Sequence, residues 1–287
     1  MKTIFFFLAF AVVLHSQTEY TNHFMQDDSS SFFDEKNEDS SSSIAKDLIS
    51  DTKTFLIKGM DYFTYPFELK SDQLILAAGI SISLYGLMYT DNFIKKTIGR
   101  ETIATLNDDF WDIPTSYGIA SYANILSLST YTVGLVFRDN WLRTTGRMMF
   151  ESLSYSGIAV ITLRYIFARN RPYSEKSANS FNWFLWNNEL QSFPSGHTTV
   201  AFALSTILAE RINTYYSRIF FYGMASLTAY ARVLNNQHWF SDVVAGALLG
   251  IGTGFFVVSK ESGDEDNLLQ GITLIPNNRG LTLFYSF

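Results

Sequence analysis

Two histidines in this chain stand where a polar turn runs into an apolar segment. His197 closes Pro194-Ser195-Gly196-His197, and His238 opens the run "HWFSDVVAGALLG". The remaining two of the four histidines, His15 and His23, lie near the N-terminus, so imidazole chemistry in the main body falls to His197 and His238. Pro194 and Gly196 shape a tight turn, and Gly196 lets the backbone approach a ligand closely. The first N–H groups of the following helix lack an acceptor within it and, with the helix dipole, favour an anion. Ser195 can add a hydroxyl donor, although Ser195 or Thr198 would serve equally as a plain helix cap. Asp242 lies four residues after His238; on a helix beginning at or before His238 the two share a face, one turn apart. A carboxylate so placed holds one imidazole nitrogen protonated and leaves the other free to attack, while its plainer role is to complement a helix N-terminus. Arginines collect at neighbouring segment ends. Arg232 precedes His238 by six residues, and Arg164 and Arg171, with Arg169 between them, are seven apart, two turns on one face if the helix continues. Pro172 blocks further helix. Guanidiniums beside two histidines make a cradle for a tetrahedral oxyanion. The chemistry implied is phosphoryl transfer, where positioning and charge stabilisation supply most of the catalysis.

These residues must be positioned by helices. Six apolar segments, Asp72–Thr90, Ile113–Phe137, Arg143–Ala168, His197–Ile212, Arg218–Leu234 and His238–Ser259, follow one another without long strand alternation, which predicts an all-α fold, a bundle of about six apolar helices. Ile113–Phe137 is uncharged and long enough to cross a bilayer, and Leu74–Thr90 and Val243–Ser259 barely reach the ~17 residues a span requires. Thr198–Ala209 is short, and the third segment carries Arg147, Glu151 and Arg164, which must face protein or a wet cavity. The bundle is therefore expected to be membrane-embedded, with some helices not spanning. Ahead of it, residues 1–17 read as a signal peptide or N-terminal anchor, 18–43 as an acidic, Ser-rich disordered linker, and 44–70 as an amphipathic helical lead-in. The main domain spans 71–260. In the tail, 261–287, apolar residues alternate around "NNRG", which predicts a small C-terminal β-hairpin. The 287 residues, 47% of them hydrophobic, suffice for one sizeable core, and the absence of cysteine excludes disulfides and thiolate metal sites. A net charge of −6 argues against nucleic acid as a partner.

The three polar blocks resemble the signature of the type 2 phosphatidic acid phosphatase (PAP2) superfamily, which also contains class A acid phosphatases and vanadium haloperoxidases. Its pattern is Lys, six residues, Arg-Pro; then Pro-Ser-Gly-His; then Ser-Arg, five residues, His, three residues, Asp. Here the blocks are Arg164 with Arg171-Pro172, Pro194-Ser195-Gly196-His197, and Ala231-Arg232 with His238 and Asp242. Arg164 stands for the usual Lys and Ala231 for the usual Ser. The resemblance implies that His238 attacks phosphorus to give a phosphohistidine, that Asp242 orients it, and that His197 protonates the leaving oxygen and then activates water. It implies that Arg164, Arg171, Arg232, Ser195 and the Gly196 N–H hold the phosphoryl oxygens, with neither metal nor cofactor.

The resulting expectation is a phosphatase acting on a lipid phosphate or diphosphate, of phosphatidic acid, phosphatidylglycerol phosphate, undecaprenyl diphosphate or lipid A type, with the aromatic stretch Tyr173–Gln191 as pocket wall. The bilayer and its lipid are the partners expected; no protein partner is implied. An exported soluble acid phosphatase is the alternative, and a non-enzymatic membrane scaffold the remaining class. The location expected is the cell envelope, with the site on the extracytoplasmic, periplasmic side. If all six segments span, positive loop charge places the site outside and the N-terminus inside, whereas a signal sequence places the N-terminus outside. A partly immersed, exported bundle resolves the conflict.

Overall fold

Helix boundaries in this protein are set by identifiable caps. The computed structural model describes residues 40–98, 108–262, 272–277 and 280–285. The expected signal or anchor and the linker up to residue 39 lie outside the described residues. The first helix, α1, runs Ser40–Thr64, so it takes in the last residues expected of the linker. It is followed by α2 Ser71–Met88, α3 Asp91–Ile98, α4 Asp108–Tyr117, α5 Ala120–Phe137, α6 Asn140–Phe167, α7 Gly196–Ile212, α8 Tyr215–Leu234 and α9 Phe240–Ser262. From residue 40 to 262 the described regular structure is entirely helical. Ile272–Asn277 (β1) and Gly280–Tyr285 (β2) pair antiparallel, with Ile272 opposite Tyr285. Asp139 caps α6 by accepting the Leu142 N–H at 2.9 Å, and Ala168 ends it in the left-handed conformation at φ 40°. Thr214 and Ser217 exchange bonds as a capping box at the start of α8.

α7 is the central post. Ala201, Ala203, Leu204, Ile207, Leu208 and Ala209 are all buried, and α6, α8 and α9 pack around it. Its burial on several faces is why its sequence shows little amphipathic pattern. α9 approaches α7 along a glycine seam: a Cβ on Gly246 would lie 2.6 Å from the Ser195 carbonyl, one on Gly250 2.5 Å from the Thr199 carbonyl, and one on Gly254 2.6 Å from Thr206 Cβ. Glycines spaced by four occupy one helix face, so the two backbones can touch along two turns. This contact sets the start of α9 beside the start of α7.

One expected segment, Ile113–Phe137, is broken, whereas Asp72–Thr90 forms the continuous α2 and a bend follows it. Ile113–Phe137 is split into α4 and α5, bent by 58°, and a second bend of 54° divides α2 from α3. Pro114 lies inside α4. At the α4–α5 break a Cβ on Gly118 would lie 2.6 Å from the His197 carbonyl, so the chain turns directly over the start of α7. Among the described residues, α9 is long and apolar enough to cross a membrane, and up to three spans result if each bent pair counts as one. α6, α7 and α8 do not meet that criterion, fewer than the six segments read from the sequence would allow.

Candidate active site

The site lies where the C-terminal ends of α6 and α8 meet the N-terminal ends of α7 and α9. The turn before α7 contains a cis Phe193–Pro194 peptide. Ser195, fully buried, donates its N–H to the Asp242 carbonyl at 3.0 Å and its oxygen accepts from the Thr198 hydroxyl at 2.9 Å. The hydroxyl proton of Ser195 is thus left to donate elsewhere. Arg164 reaches across from the end of α6; its Nε donates to the Pro194 carbonyl at 3.2 Å, and its Nη2 lies 2.8 Å from where a Cβ on Gly196 would be. Glycine at 196 is therefore what admits the guanidinium over the first turn of α7.

His238 is buried, 2% exposed. Its Nδ1 is 2.8 Å from the Ser192 carbonyl. A carbonyl only accepts, so Nδ1 carries the proton and Nε2 keeps its lone pair. Asp242 does not supply this contact, because its Oδ2 is 3.9 Å from Nδ1, too long for a hydrogen bond. The reason is the helix boundary: α9 begins at Phe240, so His238 stands ahead of the helix rather than one turn below Asp242. The Asp242 carboxylate instead accepts the Trp239 N–H at 2.9 Å, the Ser192 hydroxyl at 2.5 Å and Arg169 Nη1 at 2.5 Å. Ser192, absent from the residues singled out by spacing, bridges the two with its carbonyl on His238 and its hydroxyl on Asp242. No spacing signal would have found it.

Arg171 lies beyond the end of α6, so it and Arg164 meet through a reversal of the chain, not along one helical face. Arg171 Nη1 donates to Gln237 at 3.2 Å, and the N–H groups of Gln237 and His238 fold back on the Arg232 carbonyl at 3.1 and 3.3 Å. The Nε groups of Arg171 and Arg232 are buried without a protein acceptor. Arg164, Arg171 and Arg232 crowd one another and both histidines. Burial and the Arg171 charge push Arg164 down to about 10, Asp242 partly opposing and Arg232 adding to the effect; burial and Arg171 do the same for Arg232, to about 10. Burial, then Arg232, Arg164 and Arg171, push His197 down to about 4. Burial and the same three arginines hold His238 well below the ordinary histidine value, the Ser192 hydrogen bond partly opposing them. Burial and the arginines thus favour the neutral form of both imidazoles in the free site. The eight residues read from the sequence thus converge: His197, His238, Asp242, Arg164, Arg171, Arg232, Ser195 and Gly196 surround one cationic corner. Arg169 does not join the cradle. It is buried and binds Asp91 and Asp242.

Residues 147–263, which contain all eight, match the PAP2 superfamily. Among curated proteins, a lipid A 1-phosphatase of Porphyromonas gingivalis is 38% identical over 118 residues, 39% of this chain and 23% of the relative. An acid phosphatase of Zymomonas mobilis is 41% identical over 75 residues, 26% of each protein. The chain thus spans about a quarter of the length of these relatives. The crystal structure of Aquifex aeolicus LpxE aligns with 54% of this chain and 96% of its own at 21% identity, with a TM-score of 0.36.

Proposed function

We propose that this protein is a phosphatase that removes a phosphoryl group from a membrane lipid, of the lipid A phosphate type, through a covalent phosphohistidine. The observation that carries the reading is the convergence of three arginines on two neutral histidines, with the Nε groups of Arg171 and Arg232 buried and unpaired by protein. A phosphoryl group satisfies those donors and neutralises the crowded charge.

The geometry supports a division of labour. His238 Nε2, its lone pair free because Nδ1–H is engaged by Ser192, attacks phosphorus; the P–N bond forms as the bond to the lipid oxygen breaks. His197, which takes up a proton as the bound phosphate offsets the neighbouring arginines, gives that proton to the lipid oxygen and is left neutral. It then takes a proton from water, whose oxygen attacks phosphorus, breaks the P–N bond and releases orthophosphate with His238 neutral again. Arg164, Arg171, Arg232, the Ser195 hydroxyl and the Gly196 N–H bind the equatorial oxygens. A bound phosphate offsets the arginines that hold His197 at about 4, which raises its proton affinity when an acid is needed. Metal is not part of this scheme.

The lipid assignment is supported by the partial identity to a lipid A 1-phosphatase and by Trp183, Phe184, Leu185 and Trp186, all more than half exposed on the stretch read as pocket wall. α9 and the two bent pairs suit a bundle partly immersed in an envelope membrane with the site on its outer, extracytoplasmic face. An exported acid phosphatase on small phosphomonoesters is the second reading, favoured by the identity to the Zymomonas enzyme. Phosphate release from a panel of lipid phosphates and p-nitrophenyl phosphate, with EDTA present, separates them. Lipid A phosphate should be preferred and His238→Ala should abolish release. Preference for p-nitrophenyl phosphate without detergent would favour the second reading, and full turnover by His238→Ala would sink both.

A further inference from the structure

Behind the site lies a buried ionic relay that starts outside the matched stretch of residues 147–263. Asp91, the first residue of α3, is 1% exposed, and Arg169 is fully buried. Arg169 Nη2 donates to Asp91 Oδ2 at 2.7 Å, and Nη1 donates to Asp242 Oδ1 at 2.5 Å and to the Ser241 hydroxyl oxygen at 2.8 Å. Its Nε donates to the Ala178 carbonyl at 2.8 Å, and its guanidinium carbon lies over the Trp239 ring, 5.7 Å from the centroid. Asp91 also accepts the Ser241 N–H at 2.9 Å and the Ser241 hydroxyl at 2.6 Å. One carboxylate from α3 thereby grips both the first turn of α9 and the arginine that holds Asp242.

We propose that Asp91 and Arg169 are positioning residues for the His238 nucleophile, acting through Asp242 and Ser192. The proposal rests on the phosphatase reading above. Its logic follows the contacts. Arg169 fixes one oxygen of Asp242, which leaves the other for the Ser192 hydroxyl. The Arg169 carbonyl accepts the Ser192 N–H at 3.2 Å. Ser192 is thus held at its N–H and its hydroxyl, and its carbonyl is the acceptor that sets the His238 tautomer. Every link from Asp91 to His238 is a hydrogen bond between buried groups, where geometry is least forgiving. None of these links touches the three arginines of the cradle. Loss of the relay should therefore spare phosphate binding and impair the attack.

The test compares wild type, Asp91→Asn, Arg169→Lys, Arg169→Met, Ser241→Ala and His238→Ala as full chains, assayed over the same substrate panel, with orthophosphate as inhibitor and circular dichroism to check folding. Asp91→Asn and Arg169→Lys should lower kcat by about 10-fold or more, the scale at which outer partners of a reacting group act, while KM and the orthophosphate inhibition constant stay within about twofold. Arg169→Lys, which keeps a charge for one carboxylate, should retain more kcat than Arg169→Met. If Asp91→Asn does not fold, Ser241→Ala carries the comparison, with a smaller kcat loss of the same kind. Wild-type kcat in a folded Asp91→Asn or in Ser241→Ala would overturn the proposal and leave the phosphatase reading intact, provided His238→Ala is dead. Loss of phosphate binding in step with kcat would also overturn it, since that marks general disorder of the site. An active His238→Ala overturns it together with the reading on which it rests.

Discussion

At the scale of single residues, the two histidines are defined by what surrounds them more than by their own chemistry. Burial and three arginines lower the proton affinity of both, so the folded state binds fewer protons than the unfolded one between the ordinary value of 6.5 and about 4 for His197. Stability contributed by the neutral imidazoles is present above pH 6.5 and is lost as pH falls through that window. Thermal unfolding should therefore show Tm falling between pH 7 and pH 4.5, with a shallower fall in His197→Asn and in wild type with orthophosphate bound. An equal slope in all three would contradict the cluster. Arg164 invites a second substitution. Arg164→Lys restores the residue usual in the superfamily pattern but replaces a planar fork with a point charge and removes the Nε–H bond to Pro194. It should keep activity while raising KM by roughly 2- to 10-fold, measured on the same panel.

At the scale of elements, the site is held by two close approaches that small residues permit. Gly250→Ala places a methyl 2.5 Å from the Thr199 carbonyl and 2.9 Å from the Ala203 nitrogen, which must separate α7 from α9. It should cost about 1–3 kcal/mol in urea unfolding and lower kcat, because Asp242 and Ser195 lie on either side of that contact. Gly157→Ala on α6, with open space around its Cβ, should instead stabilise by about 0.5–1 kcal/mol. The sequence made the helix start at Gly196 legible to within a residue, because proline, glycine and polar residues interrupt an apolar run there; the start at Phe240 reads two residues early, at His238. It did not reveal the break at Gly118, because the apolar run continues through it and only contact with the start of α7 demands the turn. It misled on Asp242: four-residue spacing from His238 implied a shared helical face, but the helix begins two residues after His238, at Phe240, and that role passes to the Ser192 carbonyl. Asp91 was illegible because its partners, Arg169 and Ser241, are 78 and 150 residues away.

At the scale of the whole molecule, the charges sit at two ends. Opposite the site, Lys58 of α1 pairs with Glu261 and lies 3.5 Å from Glu151, while Arg147 binds Glu151 at 2.8 Å and Glu261 at 2.6 Å. Arg143 adds a 2.9 Å bond to Asp51. This knot ties α1 to α6 and α9. Glu151 is fully buried, so Lys58→Met strands part of its charge and should cost about 3 kcal/mol. KM should not change, since the knot is remote from the cradle; chemical unfolding and steady-state kinetics on one preparation check both. Arg147 and Arg164 mark the two polar ends on α6 itself, seventeen residues apart, or about 25 Å along a helix axis. A typical hydrocarbon core is about 30 Å thick. On the partly immersed arrangement proposed above, a bilayer that met both layers would be thinner than that beside α6. Lipid headgroups at the rim would then be drawn toward the mouth of the arginine cradle, and shorter acyl chains in the host membrane would favour that fit.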